Sequence, residues 1–397
     1  MSSPATTAAP VRNVLLHIAP FALIIFCGYL PIGMPLASLP LQVHDALGFG
    51  TLTVGITIGL QSLVTLVTRP LAGSLCDNRG AKFSVLLGAI TSIAASAVYL
   101  CSTLSPLGAY PALGLLLVAR VISGFAESLL MTGALAGAIA VVGVQNTGKV
   151  MVWVGIGMYA AIAAGGPIGI ELMTYRGAVG GFTAVSLGMI VFSVLAAVGA
   201  SFIASVAPHG GERLPFTKVV GQVAPFGAGL ALATLGFGAI GAFAALDFQY
   251  QGWPGAGFAL TGFGVAYVVT RLAFGGWPDR FGGARVAAWS LLIDCLGQLM
   301  LWLAPQPAVA FAGTILTGVG YALVFPSLGI EAVKRVPPAS RGAALGAYVA
   351  FFDLGFGLAG PTTGLLAGAF GYPSVFAAGA LGAAVAVVVS RLSSRPR

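Results

Sequence analysis

Charge is what this chain has least of: Asp, Glu, Lys and Arg together make up 7% of its 397 residues, and only 10 are acidic. A soluble domain with a charged shell is excluded by that scarcity, because too little polar surface exists to cover a core. Cysteine is sparse, and Cys27, Cys76, Cys101 and Cys295 lie far apart with no CxxC spacing. This excludes a disulfide framework and leaves the thiols as small apolar side chains. The three histidines, His17, His44 and His209, are too dispersed for metal chemistry, so no metal site is expected. No long polar stretch is present that could form an enzyme domain outside a membrane; the longest, near 207–218, has the length of a linker. Neither a Gly-Lys-Ser/Thr phosphate loop nor an arrangement of nucleophile, base and orienting acid is visible, so catalysis and a cofactor are not expected.

Apolar residues fill that space, with a mean hydropathy of +1.00. Windows of about 20 apolar residues suit a bilayer-spanning helix. They fall near 14–38, 51–74, 83–104, 110–138, 150–173 and 180–205, then 223–248, 257–278, 284–304, 307–330, 340–368 and 373–391. The expected fold is an all-α membrane protein with twelve transmembrane helices in two six-helix bundles. The bundles occupy 14–205 and 223–391, with a tail at 1–13, a linker at 206–222 and a basic tail at 392–397. The first apolar run is too long for a secretory signal and is followed by many more spans, so it counts as a helix.

The net charge of +8 does not point to nucleic acid, because the basic residues stand singly or in pairs at span ends. With the amino terminus inside, all of the 18 Lys and Arg except Arg120 and Arg176 fall on the cytoplasmic side. The positive-inside bias therefore places both termini in the cytoplasm.

A charged loop at Gly73-Ser-Leu-Cys-Asp77-Asn78-Arg79-Gly80-Ala-Lys82 returns as Gly275-Gly-Trp-Pro-Asp279-Arg280-Phe-Gly282. Thr68-Arg69 matches Thr270-Arg271 at the same offset of 202, while Gly166-Pro167 matches Gly360-Pro361, and Gly124 matches Gly318, at 194. Such a duplication means two homologous halves in one membrane, with a substrate path between them.

On these motifs the chain resembles the major facilitator superfamily along nearly all its length. Its first loop follows the pattern G-x-L-x-D-R-x-G-x-K except for Asn78, and Asp279-Arg280 restores the Asp-Arg pair. Leu116-x-x-x-Arg120-x-x-x-Gly124 is similar to the fourth-helix arginine motif, and Gly166-Pro167-x-Gly169 and Gly360-Pro361-x-x-Gly364 to the Gly-Pro antiporter motif. The strings Arg120-Val-Ile-Ser-Gly-Phe-Ala-Glu127 and Gly320-Tyr321-Ala-Leu-Val-Phe-Pro326-Ser resemble a bacterial subgroup of sugar or drug efflux proteins.

The resemblance implies a secondary transporter of the inner membrane, with a small-molecule substrate, protons as coupling ions and the lipid bilayer as its surroundings. One chain supplies both halves, so it can work as a monomer. The resemblance also implies a cytoplasmic latch made by Arg69, Gly73, Asp77, Arg79, Gly80, Arg271, Gly275, Asp279, Arg280 and Gly282, and helix packing at Gly166, Pro167, Gly360, Pro361 and Gly364.

An ionisable residue inside a span is functional by default, since it needs a partner or a hydrated cavity. Arg120 has three competing roles: coupling to protons, anchoring an anion, or a structural ion pair. Glu127 follows it by two helical turns, about 10 Å away on the same face. There it is suited to carry a proton, or else to hydrogen-bond a neighbouring helix. Asp353 or Asp247 is expected to meet a substrate cation or Arg120, with Asp353 favoured for its depth. Asp294 is read as a structural hydrogen-bonding residue. Tyr29, Gln61, Tyr159, Gln249, Tyr267 and Tyr321 are candidate pocket residues, each weighed against ordinary packing. Import of a small organic solute, or a non-transporting receptor on the same fold, are the competing readings of function.

Overall fold

In the lipid interior no water can satisfy a backbone N–H or C=O, so helices are the economical solution for a chain this apolar. The computed structural model describes residues 11–103, 108–143, 146–175, 177, 179–205, 216–336 and 341–393. The first half comprises α1 (Val11–Leu41), which continues as a wide π turn over Gln42–Ala46, then α2 (Thr51–Arg79), α3 (Ala81–Cys101), α4 (Ala109–Val142), α5 (Thr147–Thr174) and α6 (Phe182–Phe202). The second half comprises α7 (Phe216–Tyr250), α8 (Ala256–Phe274), the short α9 (Trp277–Phe281), α10 (Gly283–Trp302), α11 (Pro307–Lys334), α12 (Arg341–Phe370) and α13 (Ser374–Ser393). Among the described residues no strand occurs, and twelve helices are long and apolar enough to span a bilayer. Helix α7 begins seven residues before the expected 223, and the basic tail 394–397 and Arg176 lie outside the described residues.

The two halves repeat one packing scheme. In the first, α1 packs on α5 and α6, α2 on α4, and α3 on α4 and α6; in the second, α7 packs on α12 and α13, α8 on α11, and α10 on α11 and α13. The halves meet where α2 faces α12 and α5 faces α8, which are equivalent pairs under the repeat. Two glycine turns mark the equivalent loops. Gly80 and Gly282 have φ of 90° and 87°, a region that a side chain disfavours, and each ends one helix and opens the next.

The joint between halves is tight at one end. Call the end carrying Gly80, Gly282, the start of α1 and the end of α13 the near end, and the opposite one the far end. Toward the far end a Cβ on Gly55 would lie 2.0 Å from the Gly360 carbonyl oxygen, and one on Gly59 would lie 2.2 Å from that of Gly357. Pro361 has no N–H to bond the Gly357 oxygen, so the proline both frees that carbonyl and lets α2 approach it. The equivalent Pro167 frees the Ala163 carbonyl, and the Thr261 hydroxyl of α8 donates to it at 2.8 Å. The Thr51 hydroxyl donates to the Gly364 carbonyl at 2.9 Å, and a ring nitrogen of His44 lies 3.2 Å from the Tyr372 hydroxyl. These contacts seal the far end. Toward the near end a Cβ on Gly73 or Gly276 would meet nothing within 4 Å.

The seam predicts a contrast between two glycines of α2. Gly55→Val forces two backbones apart, at a cost of about 1–3 kcal/mol or more by the usual scale of overpacking, and lowers the thermal midpoint of the purified protein by several degrees. Gly73→Ala leaves the midpoint unchanged. Equal midpoints for the two variants, read by a thermal melt in detergent, would mean the seam is not closely packed.

Candidate functional site

Buried charges in a bilayer must find partners, and here they gather where α2, α4 and α12 converge. Asp353, near the middle of α12, is 1% exposed. It accepts two hydrogen bonds from Arg69 of α2, from Nε and, at 2.9 Å, from Nη2. This two-pronged pair crosses from one half to the other, and its geometry is the strong form of a guanidinium–carboxylate contact.

Glu127 of α4 lies alongside, within electrostatic range of both Asp353 and Arg69. Three donors surround its carboxylate: Gln61 Nε2 at 2.8 Å, the Tyr29 hydroxyl at 3.3 Å and the Thr65 hydroxyl at 3.3 Å. Thr65 also donates to the Gly124 carbonyl at 3.0 Å, which fixes α2 against α4. The Gln61 Oε1 atom is buried and has no partner among the described residues. Rotation of that amide would offer an acceptor to a protonated Glu127, so the same residues can satisfy either protonation state.

Arg120 is buried at 2% exposure, and its partners are backbone atoms: Nε donates to the Thr57 carbonyl at 2.8 Å and Nη2 to that of Ile58 at 2.5 Å. It therefore ties α4 to α2, and the expected meeting with Asp353 does not occur. Arg69 takes that place. The resemblance had placed Arg69 in the cytoplasmic latch, but it stands about three turns before the Gly80 turn, where its long side chain reaches the interior.

An aromatic cluster occupies the equivalent place where α5 of the first half meets α7, α8 and α11 of the second. Tyr159 of α5 stacks on Tyr267 of α8 with ring centroids 3.7 Å apart, and Tyr321 of α11 lies 6.3 Å from Tyr267. Phe237 and Phe263, stacked at 5.0 Å, complete the cluster, with Phe237 5.9 Å from Tyr321. Thr234 lies 3.0 Å from the Tyr321 hydroxyl. Arg271, also assigned to the latch by resemblance, is buried here: its Nη1 donates to the Tyr267 hydroxyl, and the guanidinium lies 5.4 Å from the Tyr267 ring and 5.9 Å from that of Phe325.

The remaining latch residues sit at the near end, where the described ring contacts of the arginines stay within one half. Arg79 lies over Phe83 and Arg280 over Phe281, each within its own half. Asp279 is exposed and in no ion pair among the described residues, and the Asp77 side chain lies outside what is described. Gly275 is half-buried beside its own helix. Asp247 and Gln249 do not join the central site, since α7 carries them to the far end. Gln249 there lines a cleft of about 570 Å3 with Asp45 and Trp253. Asp294 is buried on α10 with neither carboxylate oxygen partnered among the described residues, so the structural hydrogen bond expected for it is absent. No group of His, Cys, Asp and Glu that could hold a metal occurs among the described residues. Thr65, Thr234, Phe237, Phe263 and Phe325 were not singled out from sequence. Thr65 was within reach, because the 202 offset carries it onto Tyr267.

Two equivalent six-helix bundles, locked at one end by glycine contacts and joined midway by a part-buried ion pair, are the architecture of a membrane transporter and not of an enzyme. The chain belongs to the Major Facilitator Superfamily, whose family model matches residues 21–251 and 226–397. It is 45% identical over 370 residues to an uncharacterized MFS-type transporter of Burkholderia mallei (strain SAVP1), covering 92% of this chain and 89% of that one. Identity is 43% over 392 residues with an uncharacterized MFS-type transporter of Pseudomonas aeruginosa (strain LESB58), covering 97% and 96%. Among solved structures, a mutant of the nucleoside transporter NupG superposes with a TM-score of 0.74 at 15% identity, and the human organic anion transporter MFSD10 (TETRAN) with 0.70 at 14%. Each comparison covers 96% of this chain and 100% of the other. At such identities the likeness is one of fold.

Removing one partner of the central pair exposes the other. Asp353→Asn strands the Arg69 guanidinium and destabilises the protein by about 3–5 kcal/mol, the scale for a broken buried pair. The Arg69→Met/Asp353→Leu double variant recovers most of the loss. Thermal melts of the three proteins check this, and a double variant no more stable than the single one contradicts the pairing.

Proposed function

We propose that this transporter moves a small organic solute across the bacterial inner membrane by alternating access, in the efflux direction and in exchange for protons. The near end faces the cytoplasm, as the positive-inside distribution implies, so both termini are cytoplasmic and the far end, sealed in this structure, faces the outside. The observation that carries the proposal is the Arg69–Asp353 pair, a charge contact that bridges the two moving bodies beside a third ionisable group, Glu127.

Arg69 has a carboxylate within range from each half. While Asp353 is charged, the two-pronged pair holds α2 to α12. A proton on Asp353 removes that hold and leaves Arg69 to Glu127, a partner in its own half, so the bundles are free to rock. Glu127 carries the proton onward, with Tyr29, Gln61 and Thr65 satisfying it when charged and the Gln61 Oε1 atom when neutral. Arg120, two turns away, holds α2 against α4 so that this network keeps its geometry. Asp77 and its equivalent Asp279 act when the near end closes, each against the half that it approaches. The tight Gly-Pro packing of α12 on α2 and the resemblance to efflux proteins support the outward direction. Substrate binds between the halves, against Tyr29, Gln61, Tyr159, Tyr267 and Tyr321.

Glu127→Gln separates coupling from folding. In proteoliposomes carrying a pH-sensitive dye and an imposed proton gradient, compounds that bind the wild type by thermal shift drive proton movement through it, outward solute against inward proton. The variant still binds them but moves no protons. Gradient-driven transport surviving in the Gln variant would mean that Glu127 is not the proton carrier.

A further inference from the structure

The internal repeat places Arg271 where Arg69 stands in the other half, and the two arginines are treated differently by their surroundings. At the 194 offset, Asp353 corresponds to Tyr159 and Glu127 to Tyr321; at the 202 offset, Thr65 corresponds to Tyr267. Each acid that faces Arg69 is thus replaced, at the equivalent position, by a tyrosine. Arg69 spends its Nε and Nη2 on the two oxygens of Asp353. Arg271 is 5% exposed, directs Nη1 to the Tyr267 hydroxyl, and has no partner for its buried Nε. Nothing among the described residues accepts from its Nη2 either. The same fork that grips a carboxylate in one half is unpaired in the other.

A guanidinium buried in a membrane without a counter-ion is costly, by about 2.5 kcal/mol or more. Its fixed planar fork matches a carboxylate in two parallel hydrogen bonds. Around it the walls are ring faces: Tyr159, Tyr267 and Phe325, with Phe237 and Phe263 beyond. Half-buried Gly155 leaves room on the Nη1 side of the guanidinium, where an added Cβ would meet only Nη1, at 3.4 Å, and the guanidinium carbon, at 3.8 Å. A cationic substrate would be repelled here. A sugar would find few polar partners beyond the tyrosine hydroxyls and Thr234, whereas a flat apolar ring suits the stack.

We propose that Arg271 and the surrounding tyrosines form the anion-binding subsite of this transporter, and that its substrate is an organic acid carrying its carboxylate on an aromatic body. The carboxylate takes the Nε and Nη2 fork of Arg271, as Asp353 takes that of Arg69, and the ring lies against Tyr159 and Tyr267. This rests on the transport reading for its physiological meaning, but the binding chemistry is independent of proton coupling.

The test is calorimetric titration of the purified full-length protein with benzoate, 4-hydroxybenzoate and indole-3-acetate, beside benzamide as the uncharged analogue, and acetate and inorganic phosphate as anions without a ring. Aromatic carboxylates are expected to bind at least about tenfold more tightly than benzamide, acetate or phosphate, a difference of about 1.4 kcal/mol. Arg271→Gln and Arg271→Lys both weaken binding by about tenfold or more, the lysine because it keeps charge without the fork. Tyr159→Asp provides an internal carboxylate for Arg271 and abolishes the preference for anions while its thermal midpoint stays at or above that of the wild type, which separates loss of the site from loss of the fold. No binding by the aromatic acids, equal binding of benzoate and benzamide, a preference for phosphate or acetate, or unaltered affinity in the Arg271 variants overturns the proposal. Anion binding without any gradient-driven movement in proteoliposomes would instead sink the transport reading and leave this subsite standing.

Discussion

A charge inside a bilayer cannot be left to solvent, and this single constraint organises the interior of the protein. With so few ionisable residues in the spans, those at the boundary are met by another side chain or by backbone oxygen, whereas Asp294 has no partner among the described residues. Asp353 and Arg69 meet each other across the boundary between halves, Arg120 meets the carbonyls of α2, and Glu127 is enclosed by three donors. The consequence is mechanical as well as electrostatic. A contact that neutralises two charges also fastens two bundles, so any event that changes one of those charges changes the fastening.

Glycine supplies the complementary half of the design. Lipid tails offer no hydrophobic drive for helix association, so close backbone approach and freed carbonyls carry the load. Pro167 and Pro361 each remove one helical hydrogen bond at the boundary, and the partner helix uses the exposed oxygen, through Thr261 in one case and through the close passage of Gly59 in the other. The far end is thereby sealed by packing while the middle is held by charge. These two kinds of contact differ in how they respond: packing persists unless the helices separate, whereas an ion pair answers to a proton or to a competing anion.

The internal repeat has diverged along chemical lines. One half presents Arg69, Glu127 and Thr65 together with Asp353 contributed from across the boundary; the other presents Arg271, Tyr321 and Tyr267, with Tyr159 contributed from across the boundary in its turn. Duplication makes the backbone equivalent, and side-chain chemistry then divides the labour between a charged side and an aromatic one. The equivalent packing of the two bundles makes this comparison useful, because the main helix contacts in one half have their counterparts in the other.

Sequence alone determined the membrane location, the twelve helices, the duplication and the glycine-rich character of the joints, because length, hydropathy and local repetition depend on residues near one another in the chain. It also marked Glu127 and Asp353 as charges needing explanation. Partnership was another matter: Arg69 and Arg271 belong by motif to loop signatures, yet their side chains reach inward, while Asp247 and Gln249 lie at the far end. Only the tertiary structure decided which guanidinium meets which carboxylate, since Arg69 and Asp353 stand 284 positions apart and their encounter is set by how two bundles dock. The physical reason is that a buried charge senses its neighbours in space, and those neighbours are chosen by helix packing across the boundary, where local sequence pattern has no reach.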